Sequence, residues 1–357
     1  MLESDMKLIT FPGLIDPHVH LRTPGQEYKE DFLTGTKAAL AGGFTTIIDM
    51  PNNAVPITTL ERLEAKREIA KTQIVCDTGF YFGSLGDNLD EFDKVKRLVH
   101  GLKLYMNPTT GNYLLSKDSL PKIFAAWPEE LPILFHAEGT TFDDVLDVVK
   151  AHPRKIHLCH MSTAYELKQV IKAKEQGLPV TCGVTAHHLF LSEADVARLK
   201  AFGMMKPPLS TPEDVAFLWK HLDAIDLIES DHAPHTFSEK ETAAEGHVPH
   251  GVPGLETTLP LLTTAMYEGK ITREEIVRLC HDGPSQLLQI ADDEGTKVEV
   301  DMDDTYVLTN DGLFTKAGWT PFAGRKMHGR VKRVFIRGEK VFENGKLLAL
   351  PGFGKLL

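Results

Sequence analysis

Eight short apolar runs, at residues 13–20, 45–50, 73–81, 102–105, 133–136, 156–160, 180–184 and 225–230, recur along most of this sequence. Between them lie amphipathic stretches with helical spacing, among them 30–41, 60–71, 90–100, 165–175 and 193–201. The last is preceded by Ser192, a capping residue followed by first-turn acids. Apolar runs flanked by helices read as strands buried on both faces, the pattern of a parallel sheet. Eight strands close a (β/α)8 TIM-like barrel, and an α/β fold of that kind is expected over residues 12–292, with an open doubly wound sheet as the alternative.

After about Asp292 the pattern changes to exposed alternation, as in Lys297-Val-Glu-Val-Asp-Met-Asp and Arg330-Val-Lys-Arg-Val-Phe-Ile-Arg, with Asn344-Gly345 as a hairpin turn. Residues 293–357 are therefore expected to form a small β-rich accessory unit, completed from the other end of the chain by residues within 1–11. The Gly-, Pro- and His-rich segment 232–254 reads as one long loop, and such loops in barrels often carry function.

The 357 residues carry a formal net charge of −11, which disfavours nucleic acid and anionic membrane surfaces as partners. Cys76, Cys159, Cys182 and Cys280 are scattered without a CxxC pair, so neither a disulfide framework nor a structural zinc knot is expected. No run of 18 apolar residues occurs, and the first residues lack the apolar stretch of a signal peptide. A reducing, cytoplasmic setting is expected.

The polar residues inside this frame are unusual. In Asp16-Pro-His-Val-His20 the two histidines lie two apart, so on a strand they project from one face. They can hold a divalent metal or be strand histidines satisfied by hydrogen bonds. Lys103 falls within the fourth run, His136 ends the fifth, His160 ends the sixth and Asp231 follows the eighth. Barrel active sites form where C-terminal strand ends converge, so all six would face one cavity. A lysine among apolar residues is costly unless paired or neutral. Lys103 is thus either ion-paired, for example to Asp231, or a neutral amine able to add carbon dioxide. The resulting carbamate could bridge two metals at the roughly 3.5–4 Å spacing of binuclear sites. Cys159, beside His160, either tunes the site or simply packs, and packing is the expectation.

On the motifs DPHVHLRTPG, EDFLTGTKAALAGGFTTIIDMPN, GLKLY, PILFHAE, HLCHMS, SDHAPHT, GVPGLET and WTPFAG, the chain resembles the dihydroorotases of the amidohydrolase superfamily, particularly the type within the multifunctional pyrimidine-synthesis protein of animals. The resemblance implies a hydrolase acting on cyclic amides, with two zinc ions per chain. His18, His20 and Asp231 would bind one ion and His136 and His160 the other, bridged by carboxylated Lys103 and a hydroxide. Asp231 would move the proton. Arg22 and Asn52 would bind the substrate carboxylate, and His235 the ring or carboxylate. The backbone at Pro253 and Gly254 would meet the ring amide, and Thr109 and Thr110 would ride on a closing loop. The same analogy implies interconversion of N-carbamoyl-L-aspartate and L-dihydroorotate, a homodimer, and association with aspartate transcarbamoylase.

Three positions depart from the resembled pattern. Gly183 stands where relatives commonly carry an acidic residue, Ala186 where a proline precedes the paired histidines His187 and His188, and Lys206 where they usually carry asparagine or arginine. A hydantoinase- or allantoinase-type cyclic amidase and a non-catalytic assembly subunit are the rival readings.

Overall fold

The computed structural model describes residues 8–109, 113–244 and 246–357. Strand β1 (Leu8–Pro12) belongs to the terminal sheet, and the barrel begins with β2 (Leu14–Val19). Next come β3 (Phe44–Asp49), β4 (Asp77–Phe80) and β5 (Phe82–Gly83), the last two being halves of one extended run interrupted at Tyr81. The remaining barrel strands are β6 (Leu102–Tyr105), β7 (Ile133–His136), β8 (Ile156–Leu158), β9 (Val180–Thr185) and β10 (Leu227–Glu229). All pair in parallel and in chain order, β2 with β3 and β4, then β5 through β10. Closure comes from a parallel bridge between Val19 and His232, where the His20 N–H donates to the His232 carbonyl at 2.8 Å. The fold is a TIM-like barrel, with Ile15, Ile48, Leu134 and Leu227 packed as an apolar cluster inside it.

Several local expectations needed correction. The run at 156–160 pairs only as far as Leu158, and His160 beyond it takes a left-handed φ of 43°. The stretch 90–100 is helical only at Leu89–Glu91 and Phe92–Val95, and 193–201 breaks into short turns where Lys200 adopts φ 51°. The expected loop 232–254 contains a short helix, Phe237–Glu241. Thr236 and Glu239 form a reciprocal capping box at its start, a T-x-x-E signal visible in the sequence.

The terminal sheet runs β1, β11 (Lys297–Val307), β12 (Lys326–Ile336), β13 (Glu339–Glu343) and β14 (Lys346–Leu347), all antiparallel. Asn344 and Gly345 both have positive φ, as a two-residue hairpin between β13 and β14 requires. Residues 5–7, part of the expected contribution from the chain start, lie outside the described residues. Arg337 ties this sheet to the barrel through Asp77 at 2.6 Å. Among the described residues no helix is long and apolar enough to cross a membrane.

A buried ion pair holds the helix Leu60–Lys71 to the end of β3. Lys66 reaches Asp49 at 2.7 Å with both side chains about 1% exposed, and also donates to the Met50 carbonyl. Asp49 in turn accepts the N–H of Leu21, just beyond His20. Removing one partner of such a pair strands a charge in low dielectric. Lys66→Met is therefore expected to destabilise the protein by about 3–5 kcal/mol in urea unfolding; an unchanged midpoint would show that the pair carries no net weight.

Candidate metal centre

Strand β2 delivers His18, and the residue after its end is His20. Closure of the barrel brings Asp231, just past β10, against both. Its Oδ1 lies 2.9 Å from His20 Nε2 and 3.4 Å from His18 Nε2. One ligand atom from each of these three residues lies within 4.8 Å of the others. Across the barrel mouth His136 ends β7 and His160 follows β8, with His136 Nδ1 3.0 Å from His160 Nε2. The two halves meet where the His18 and His160 rings stand 5.3 Å apart.

The outward nitrogens are mostly occupied. His18 Nδ1 donates to Glu229 at 2.7 Å, His20 Nδ1 to the Asn52 amide oxygen at 2.7 Å, and His136 Nε2 to Glu138 at 2.7 Å. His160 Nδ1 is buried with no hydrogen-bond partner among the described residues. Burial holds His18, His20 and His160 far below the usual histidine range and lowers His136 as well, with nearby positive charges acting the same way. Four neutral imidazoles with inward lone pairs beside a carboxylate form a donor set that fits divalent metal, each outer hydrogen bond fixing a tautomer. Burial and Glu229 raise the Asp231 carboxyl to about 7 against the opposing pull of Lys103.

Lys103 is fully buried on β6. The partner its amine finds is the Cys159 sulfur, at 2.9 Å, rather than Asp231, so Cys159 does more than pack. Cys159 also forms, with His18 and Glu229, a second group able to offer three ligand atoms within 4.8 Å of one another.

Arg22, His20, Asn52 and Thr109 line the cleft above the imidazoles. Arg22 takes φ 62°, and His160 and Asp231 are also left-handed, so three of the residues singled out from sequence sit in backbone states that non-glycine residues rarely adopt. The Arg22 guanidinium donates to the Pro234 carbonyl at 3.1 Å and packs 3.4 Å from His235 Nε2. His235, expected to meet substrate, does not line the cleft. Its Nδ1 accepts from Lys29 at 3.2 Å and its Nε2 donates to the His250 carbonyl at 2.9 Å, which leaves no ring nitrogen free. Pro253 and Gly254 are buried away from the cleft as well, the Gly254 N–H donating to His232. Thr110 lies outside the described residues.

Sequence reasoning missed Glu229, Glu138, Tyr105 and His250. Glu229 was detectable as an acid inside the apolar run 225–230, and Glu138 as an acid two residues beyond His136. Tyr105 and His250 line the cleft without any pattern that marks them. Lys206 also lines it and donates to the Pro108 carbonyl at 2.5 Å, bracing the loop that carries Thr109.

The sequence profile of the Amidohydrolase family matches residues 9–341. The chain belongs to the amidohydrolase family. It is 42% identical over 354 residues to the multifunctional protein CAD of Squalus acanthias, covering 99% of this chain and 16% of that protein. It thus spans only about one-sixth of the length of that relative, and likewise of the Dictyostelium discoideum multifunctional protein pyr1-3 (16%). It is 35% identical over 374 residues to a dihydroorotase of Pyrococcus furiosus, covering 98% of this chain and 85% of that protein. Among solved structures, an L-hydantoinase from Arthrobacter aurescens superposes with a TM-score of 0.91 at 24% identity, covering 97% of this chain and 88% of that one, a likeness of fold alone. The inactive dihydroorotase-like domain of the Chaetomium thermophilum CAD-like multifunctional protein matches with a TM-score of 0.83 at 28% identity, covering 98% of each chain.

Asp16 closes the seam of this amidohydrolase. Its Oδ1 accepts the N–H groups of His18 and Ser230, both at 3.1 Å, while burial raises its carboxyl to about 7. Between the ordinary carboxyl pKa and that raised value the folded state binds the extra proton, so this residue's contribution to stability falls as pH rises through the window. Asp16→Asn keeps an acceptor and removes the titration. In metal-free protein its stability relative to wild type should rise by on the order of 1 kcal/mol per pH unit between about pH 5 and 7, read from urea midpoints; a constant difference would place the Asp16 pKa elsewhere.

Proposed function

We propose that this chain is a binuclear zinc dihydroorotase that interconverts N-carbamoyl-L-aspartate and L-dihydroorotate in de novo pyrimidine synthesis. The observation that carries the reading is Arg22, a buried guanidinium turned by a left-handed backbone to the rim of the imidazole cluster, where a planar two-oxygen anion could be gripped. Similarity to the archaeal dihydroorotase over most of both chains supports the same substrate.

In this reading His18, His20 and Asp231 hold one ion and His136 and His160 the second. Lys103, buried beside the Cys159 thiol, would supply a further oxygen ligand as its carbamate, which the amine forms by adding carbon dioxide and losing a proton. Ions bound there would polarise the ring carbonyl and make water a nucleophile near neutral pH. Asp231, whose carboxyl is raised by burial in the metal-free chain, is the group placed to carry the proton. In hydrolysis it takes a proton from the attacking water and passes it to the ring nitrogen as the amide bond breaks. In cyclisation it removes the proton from the ureido nitrogen that attacks the side-chain carboxyl, and water departs. Ring closure takes up a proton overall, so acid favours it.

Arg22 and the free amide nitrogen of Asn52 orient the substrate carboxylate, because the Asn52 oxygen is engaged by His20. His235 acts one layer back, packing against Arg22. The barrel over 12–292 carries this chemistry, with 1–11 and 293–357 as an accessory unit. The multifunctional relatives support work alongside other pyrimidine enzymes; aspartate transcarbamoylase as the partner and a cytoplasmic homodimer belong to the proposal.

The deciding experiment measures zinc content and dihydroorotate hydrolysis on the purified chain and on Lys103→Ala, with hydantoin as a second substrate. About two zinc ions with turnover, both reduced by the substitution, is the expected result. Faster hydantoin hydrolysis would shift the assignment to a sister cyclic amidase, and metal without turnover would leave an assembly role. Asp231→Asn should keep zinc yet lose turnover by roughly 10²–10⁴-fold; near-normal turnover would remove Asp231 from proton transfer. Arg22→Lys should raise KM about tenfold or more with a smaller effect on kcat, since an ammonium lacks the two-pronged grip.

A further inference from the structure

Glu229 is a carboxylate enclosed beside the metal centre, 1% exposed on β10 two residues before Asp231. Oε2 accepts His18 Nδ1–H at 2.7 Å. Oε1 accepts the backbone N–H of His160 in a short hydrogen bond, and His157 Nε2 stands 4.0 Å from the same oxygen. One side chain therefore grips a residue from each half of the cluster, His18 by its ring and His160 by its backbone. The second contact falls where φ is 43°, a conformation that persists only when its surroundings hold it.

The space for this carboxylate comes from the neighbouring strand. A Cβ placed on Gly183 would stand 2.6 Å from Glu229 Oε1 and 3.0 Å from its carboxyl carbon. Gly183 has no positive φ to explain it, so close approach is the reason for a glycine inside β9. A glutamate at 183, in a rotamer turned toward Glu229, would carry its carboxyl into the space that the Glu229 carboxyl now fills.

We infer that Glu229 is the positioning residue of the metal centre, and that it supplies from β10 the carboxylate that the resembled family carries on β9. It fixes the His18 tautomer so that Nε2 faces Asp231 with its lone pair, and it pins the His160 backbone so that its ring faces His136. Gly183 and Glu229 are then one unit, a carboxylate moved one strand along with its cavity opened to receive it.

The inference rests on the reading of His18 and His160 as metal ligands, and the test separates the two. Zinc affinity is measured by competition with a chromophoric chelator, and stoichiometry by elemental analysis. The proteins are wild type, Glu229→Ala, Glu229→Gln, Gly183→Glu and the double variant Gly183→Glu/Glu229→Ala, with thermal unfolding followed for each. Glu229→Ala should weaken zinc binding about 10–100-fold. Glu229→Gln, which keeps an acceptor for one contact only, should fall between it and wild type and gives the reading if the alanine variant does not fold. The double variant should regain most of the affinity, whereas Gly183→Glu alone, with two carboxylates in one space, should lose thermal stability.

A lowered Tm with unchanged zinc affinity in Glu229→Ala would make the residue merely structural and overturn the role. A third zinc ion in wild type that disappears with Glu229→Ala would make it a ligand with His18 and Cys159, and overturn it too. A folded double variant as weak as Glu229→Ala would overturn the relocation. No zinc in wild type would instead overturn the metal assignment and, with it, the role built on that assignment.

Discussion

Ring closure between the first and last barrel strands is the constraint on which the rest depends. The Val19–His232 bridge and the two N–H groups held by Asp16 bring residues 16–20 against 229–232, more than two hundred positions along the chain. Both contacts of Asp231, with His18 and with His20, cross that seam. A sheet left open there would keep the same residues on the same strands and have no centre. The ion pair of Lys66 and Asp49 serves the same seam from below by fixing the turn after His20.

The centre is arranged by hydrogen bonds made at its back. Glu229, Asn52 and Glu138 each accept from the nitrogen that faces away from the cluster, so that the inward nitrogens are left as acceptors. Low dielectric makes these bonds strong and keeps the rings uncharged, and the same low dielectric lifts Asp16 and Asp231 toward neutrality. One physical cause thus acts on imidazoles and carboxyls alike, disfavouring the charged form of each. The backbone contributes through Arg22, His160 and Asp231, whose left-handed conformations turn side chains from the strand direction into the mouth of the barrel.

Much of this was legible in the sequence because the period of the strands places functional residues at their ends. The eight runs, the His18–His20 spacing and the Asn344-Gly345 turn each carry a local physical signal, and the fold and the convergence of His18, His20, His136, His160 and Asp231 on one cleft follow from them, whereas Lys103, expected to face the same cavity, lies against Cys159 and does not line it. What stayed hidden was decided by partners distant in sequence. His235 looks like a substrate contact until Lys29 and His250 are found on its two ring nitrogens. Gly183 looks like a loss until Glu229 is found in its space. The capping box at Thr236 was readable and lay inside a segment whose glycines and prolines outweighed it.

The terminal sheet carries a consequence for how the molecule is made. Leu8 in β1 finds its neighbour in β11 at Asp301, nearly three hundred residues later. At synthesis rates of about 5–20 residues per second, roughly 15–60 s separate the two strands as they emerge. For that interval β1 has no partner, and an unpaired strand edge is a template for other chains. The barrel must therefore be guarded while it waits for its own C-terminal strands, which makes the newborn chain, rather than the finished enzyme, the state most exposed to aggregation.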